Sequence, residues 1–217
     1  MTNRTIYIVV LIALLMGLVV LAQGATVRLT GNDRGYEPAQ PVAYSHRLHA
    51  GELGIACQYC HYGAERSRHA GIPPTSVCMN CHRFVTAPQD QVAAEKARAT
   101  REGREPTQVT SAEIQKIYDS LGLDANGQRD PQKKQKAIRW RQIHHVPDFV
   151  YFDHRRHVAA DVTCQTCHGE VQTMERVGQF ADLSMGWCLT CHRANNTKAA
   201  QQGSAHRSST DCAVCHY

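Results

Sequence analysis

All ten cysteines of this 217-residue chain fall in five copies of Cys-x-x-Cys-His: Cys57 to His61, Cys78 to His82, Cys164 to His168, Cys188 to His192 and Cys212 to His216. Two thiols about one helical turn apart, with an imidazole directly after the second, suit one chemistry above others. Both thiols can form thioethers to the vinyl groups of a single haem while the adjacent histidine ligates its iron. Zinc ribbons use paired Cys-x-x-Cys knuckles but give no reason for a histidine after every second cysteine. Thioredoxin-like motifs occur singly at a strand-to-helix turn, and a disulfide framework leaves the five histidines unexplained. The motifs therefore predict five covalently bound haem c groups, held by Cys57, Cys60, Cys78, Cys81, Cys164, Cys167, Cys188, Cys191, Cys212 and Cys215. His61, His82, His168, His192 and His216 are the proximal iron ligands.

Eight of the thirteen histidines remain for five distal positions. His46 and His49, and again His154 and His157, stand three apart, so on a helical turn they are neighbours whose rings can reach two different irons. The fifth distal ligand is one of His69, His144, His145 and His206, with Met185 a further possibility that would raise the potential of its haem. His144 follows Trp140 and Ile143 and precedes Val146-Pro147, the most apolar surroundings of the four, and is the expected ligand. With every axial position filled, no iron is open to a small substrate and the chain only moves electrons.

The elements that position these residues repeat. Tyr44-Ser45-His46-Arg47-Leu48-His49 followed by two haem motifs recurs as Phe152-Asp153-His154-Arg155-Arg156-His157 followed by two more, and the fifth motif forms a tail without a His-x-x-His of its own. The organisation reads as an anchor over residues 1–27, a first two-haem unit over 28–87, a polar insert over 88–139, and a second two-haem unit with the appended fifth haem over 140–217. Within the insert, Thr110-Ser111-Ala112-Glu113 has the form of a capping box, and Ile114, Ile117, Tyr118 and Leu121 then recur on one helical face before Gly122. A weaker helix is expected over Gln89 to Arg101, and a basic loop over Asp124 to Lys136. The insert reads as a solvated excursion.

Aromatic residues make up only 6% of the chain and the mean hydropathy is negative, so a large side-chain core is excluded. The porphyrins must supply it, leaving roughly 38 residues of polypeptide to wrap each one. The fold class is thus a multihaem cytochrome c fold, mostly coil with short α-helices around five haems, plus one N-terminal transmembrane helix. That helix is expected in the uncharged run from Thr5 to Val27, about 34 Å long if helical and able to cross the hydrocarbon core. It reads as an uncleaved anchor, the alternative being a signal peptide cut near Ala22-Gln23-Gly24. Attachment of c-type haem takes place outside the bacterial cytoplasm, which puts the haem domain of this single-pass membrane protein on the periplasmic side. The formal charge of +5 does not argue for nucleic acid, because haem propionates, partly offset by the ferric cores, cancel the surplus.

The order of these motifs, their number and the anchor resemble the pentahaem cytochrome (ActA) subunits of alternative complex III. The resemblance is carried by Tyr44-Ser45-His46 to His49, Gly71-Ile72-Pro73-Pro74 ahead of Cys78-Met79-Asn80-Cys81-His82, Pro147-Asp148-Phe149-Val150-Tyr151-Phe152 ahead of His154, and Met185-Gly186-Trp187-Cys188. It implies mostly bis-histidine haems and assembly with an iron–sulfur subunit, NrfD-like integral membrane subunits and a monohaem cytochrome. Electrons from the quinol-oxidising subunits would then pass to a periplasmic acceptor, with no catalytic residue and no small-molecule substrate on this chain. It further implies that His46 serves the Cys57 haem and His154 the Cys164 haem, while the second histidine of each pair serves a neighbouring one.

Two other functions compete. A stand-alone quinol dehydrogenase of the NapC/NrfH kind also has one anchor helix, but here Cys57 lies 30 residues beyond Val27, away from the bilayer surface. A soluble periplasmic electron carrier would result if the anchor were cleaved. A multihaem nitrite enzyme would need a Cys-x-x-Cys-Lys motif, and the sequence has none.

Overall fold

The computed structural model describes residues 3–22 and 33–217. The first helix, α1, spans Asn3–Ala22. Its described side chains, residues 3–19, are all exposed, and they include the large apolar groups from Ile6 to Val19. Among the described residues no helix is long and apolar enough to cross a membrane. The expected span runs on to Val27, and the junction between anchor and first unit lies outside the described residues.

The rest is helix and coil. Chain order is a π turn Arg47–Glu52, α2 Cys57–Cys60, a 3-10 turn Tyr62–Glu65, α3 Thr75–His82, α4 Gln89–Glu102, α5 Ala112–Leu121, α6 His154–Val158, α7 Cys164–His168, a 3-10 turn Val171–Thr173, α8 Met185–Gln201 and α9 Cys212–Cys215. The only β pairing among the described residues is two isolated bridges, Leu123 with Arg129 and Val150 with His216. One haem-motif helix is longer than the others. The Ser184 hydroxyl caps α8 by accepting the Trp187 N–H at 3.1 Å. From the fourth motif the helix continues through Arg193 to Ala200, a stretch without glycine or proline, and Gly203 follows its end.

The two halves of the repeat interlock. The Arg47–Glu52 turn of the first unit packs on the Val171–Thr173 turn of the second, and α6 of the second packs on the Tyr62–Glu65 turn of the first. Arg47 N–H donates to the Met174 carbonyl at 2.9 Å, and His154 N–H to the Arg68 carbonyl at 3.2 Å. The approach at Gly51 is so close that a Cβ there would lie 2.3 Å from the Gln172 carbonyl oxygen, so only glycine fits. The tail joins the second unit, with Tyr151 N–H donating to the Cys215 carbonyl and Tyr217 Oη to that of Asp148.

The insert is not a solvated excursion. Ile117 and Tyr118 of α5 join Val42 and Met79 in the one cluster of buried apolar side chains among the described residues, with Trp140 and Ile138 against its edge. Tyr118 is fully buried, and its hydroxyl donates to the backbone carbonyl of His82 at 2.7 Å. The insert therefore braces the second haem motif. The capping-box expectation is off by one position: Ser111, not Thr110, is the N-cap and accepts from Ile114 N–H. Glu113 is thereby released to accept from Ala43 N–H at 2.7 Å, tying the insert to the first unit.

In α4, Glu95 is 5% exposed and accepts from Arg104 at 2.7 Å, Arg98 at 2.5 Å, and both the N–H and hydroxyl of Thr107. These bonds, Arg104 first, hold its carboxyl well below the usual range. A depressed folded pKa contributes stability that is present above the unfolded value near ~4.3 and is lost as pH falls through the folded one. Glu95→Gln is expected to lower the melting temperature at pH 7 and to flatten its decline below about pH 4. Melts across that range would show it, and a variant with the wild-type acid limb would contradict it.

Candidate functional site

Each Cys-x-x-Cys sits on a helix, which puts its two thiols on one side; the histidine stands at or just past the helix end in four motifs, and His192 lies within α8. The first distal pair lies on the Arg47–Glu52 turn and its N-cap, His46, and the second on α6. In both, an aromatic residue two positions ahead wedges against the two imidazoles. Tyr44 lies 4.8 Å edge-on to His46 and 4.4 Å stacked on His49, and Phe152 lies 4.8 Å edge-on to His154 and 4.6 Å stacked on His157. The repeat shows this aromatic in both copies, but its role emerges only from the packing.

Four histidine pairs face each other across a gap of one size. Ring centres are 6.5 Å apart for His46 and His61, 6.1 Å for His49 and His82, 6.4 Å for His154 and His168, and 6.2 Å for His157 and His192. The interplanar angles are 4°, 58°, 10° and 36° in the same order. Metal–imidazole bonds of about 2 Å, with each ring centre roughly 1 Å behind its nitrogen, place two axial imidazoles about 6 Å apart. The residues fit the group.

The other ring nitrogen sets the orientation. Nδ1 lies against a backbone carbonyl in His49 (Ser45, 2.8 Å), His61 (Gly71, 2.6 Å), His82 (Val85, 2.8 Å), His154 (Arg68, 2.8 Å), His157 (Asp153, 2.9 Å) and His192 (Ser209, 2.5 Å). An Nδ1–H donated to a carbonyl leaves Nε2 bare for a metal. Burial, with smaller contributions from His61 and His49, pushes His46 down to about 4. Burial, then His144, His154 and His61, does the same to His168. Burial thus favours the neutral form of both rings.

His144 stands elsewhere than its surroundings in sequence suggest. The structure brings it to His168, with its Nε2 3.2 Å from the His168 Nδ1, and not to His216. The nitrogen that would meet a fifth iron is engaged behind the third, because Trp140 is held at the edge of the Tyr118 cluster and the chain after it runs beside the Cys164 motif. The ring beside His216 is Phe149, with centres 5.7 Å apart. His145 lies 3.2 Å from the Gln142 carbonyl, and His69 and His206 are exposed, as is Met185 at 64%.

The thiols order the motifs in space. Cys60 lies within electrostatic reach of Cys78 and Cys81, and Cys164 lies beside Cys57. Burial pushes the Cys167 thiol up to about 11, with Cys191 and Cys188 contributing, and Cys188 in turn senses Cys215. The sequence in space is second, first, third, fourth, fifth.

Comparison with known proteins agrees with this chemistry. Residues 150–217 match the family of cytochrome c7 and related cytochrome c. The chain is also similar to the multihaem cytochrome c subunit of the menaquinone reductase of Nitratidesulfovibrio vulgaris, 22% identical over 82% of this chain and 76% of the relative. The C-terminal third is thus similar to cytochrome c7-type multihaem domains, a family whose group is covalently bound c-type haem.

Proposed function

We propose that this chain is the electron-relay subunit of a membrane quinol:acceptor oxidoreductase of the alternative complex III type, carrying five covalent haem c groups. The carrying observation is the set of four imidazole pairs at one metal-bridging separation. In this reading His46, His49, His154 and His157 are the distal ligands opposite His61, His82, His168 and His192. The haems supply one-electron redox chemistry, and the protein holds them in register and fixes each imidazole.

The thiol contacts then give the route: the Cys78 haem, the Cys57 haem, the Cys164 haem, the Cys188 haem and the Cys212 haem. The interlocked turns between units support the central step, since each unit's distal histidines are braced by the other. α1, apolar and exposed from Ile6 to Val19, supports attachment to a membrane, with the haem region on the extracytoplasmic side. The relative's name, a menaquinone reductase subunit, supports a quinone-linked assembly. The partners in this reading are an iron–sulfur subunit, NrfD-like membrane subunits and a monohaem cytochrome. Two-electron, two-proton quinol oxidation needs an enclosed site with acid–base groups, which this reading assigns to the companion membrane subunits.

Purification in mild detergent, identification of co-migrating chains and parallel assays with one quinol analogue test the proposal. The assembly is expected to oxidise the quinol, whereas the isolated chain accepts electrons only from a strong reductant. Comparable turnover by the chain alone would establish a NapC/NrfH-like dehydrogenase instead, and a chain recovered without membranes or companions would establish a soluble carrier.

A further inference from the structure

We infer that His144 is a positioning residue for the Cys164 haem: its Nε2 accepts the Nδ1–H of His168, increasing that ligand's basicity and favouring the oxidised form of this one centre. The inference rests on the haem reading above but on no particular partner or substrate. Three of the five proximal histidines, His61, His82 and His192, direct Nδ1 at a backbone carbonyl, at 2.6, 2.8 and 2.5 Å. His168 instead directs Nδ1 at a second imidazole, 3.2 Å away, with the two rings edge-on at 78°. An imidazole nitrogen is a far stronger base than an amide oxygen. It draws the Nδ1 proton outward, leaving more electron density on Nε2, the nitrogen that faces the metal. The proton stays on His168 and no group is transferred; the effect is a bias on an electron equilibrium.

The placement of His144 is built rather than incidental. Trp140 packs on the Tyr118 cluster that α5 creates, and Gln40 clasps the next residue, its Oε1 accepting from Arg141 N–H at 2.9 Å and its Nε2 donating to the Arg141 carbonyl at 3.0 Å. Gln142 then donates to the His144 carbonyl at 2.9 Å. On the far side, His154 faces His168 with nearly parallel rings. His168 thus has two imidazoles beside it, His144 edge-on and His154 face to face. In the spatial order of the motifs the third is central, so a bias there acts on every electron passing between the two units.

His144→Leu and His144→Gln, made in the full chain with its haems, test this. Intact mass first establishes the haem content of each variant. Potentiometric titration followed by EPR then reads each haem separately. His144→Leu is expected to shift the reduced-to-oxidised ratio of one low-spin haem toward reduced by about tenfold at a fixed ambient potential, which is 59 mV for a one-electron couple. The g values of the same haem should move, and His144→Gln, whose amide oxygen can still accept, should give a smaller shift. Unchanged ratios and g values with full haem content in His144→Leu would overturn the inference. Conversion of one haem to high spin would overturn it too, because it would make His144 an axial ligand of another iron. Absence of haem on the Cys164 motif in the wild-type chain would instead fault the underlying haem assignment.

Discussion

Replacing Cys164 and Cys167 together by alanine is expected to remove one haem and, with it, the folded state of most of the chain. The buried apolar side chains among the described residues are few: Val42, Met79, Ala87, Ala99, Ile117, Tyr118 and Ala181. Those of the Tyr118 cluster lie on the side of the second motif. Nothing comparable supports α6, α7 and the turns between them, where the imidazoles, thiols and exposed rings surround the space a porphyrin would fill. The third motif also stands at the contact between units, through the closeness of Cys57 to Cys164 and the Val171–Thr173 turn that follows it. By contrast, Ile117→Ala removes part of the side-chain cluster and should cost about 2–5 kcal/mol while leaving every haem attached. The paired replacement of Cys212 and Cys215 removes the terminal haem and should leave the other four in a folded protein. Intact mass, haem staining and far-UV circular dichroism on the three variants decide the matter. Native-like ellipticity and normal yield for the Cys164→Ala, Cys167→Ala variant would show that the polypeptide, not the haem, holds the second unit together.

Local features carried through from sequence to structure with little change, and those that depend on the two units meeting did not. Spacing alone placed the five motifs, and the one-face recurrence of Ile114, Ile117 and Tyr118 appears as α5. The His-x-x-His repeat marked residues that the structure then sets opposite His61, His82, His168 and His192. The cap moved from Thr110 to Ser111 because Glu113 has a better partner in Ala43, 70 residues away, than in its own helix end. The polarity of the insert hid its function as a brace: only one face of α5 is apolar, and the surface that receives it comes from Val42 and Met79. His144 is the instructive case. Its neighbours made it look like a ligand, which in a sense is a statement about burial, but burial near haem serves a ligand and a ligand's partner equally. Only the path of the chain from Trp140 separates the two.

The cross-assignment of the second histidine in each pair gives the other large effect. His49→Met is expected to raise the potential of the Cys78 haem by on the order of 0.1 V and to leave the Cys57 haem, attached just downstream of the substitution, nearly unchanged. The geometry behind this is specific. His49 lies 6.1 Å from His82 with ring planes at 58°, while its neighbour His46 faces His61 at 6.5 Å with planes only 4° apart. A helical turn puts the two imidazoles side by side, and the Tyr44 ring wedges them toward different proximal partners. Near-parallel and crossed imidazole planes split the iron d orbitals differently, so the two centres should give distinct low-spin EPR signals: an ordinary rhombic one for the Cys57 haem and a strongly anisotropic one for the Cys78 haem. In His49→Met the anisotropic signal should disappear and the rhombic one persist. His157→Met should act in the same way on the Cys188 haem, whose pair is tilted by 36°, and spare the Cys164 haem, whose pair is near-parallel at 10°. Loss of the rhombic signal on replacing His49 would mean that each pair serves the haem beside it in sequence, and the relay order built on shared turns would have to be redrawn.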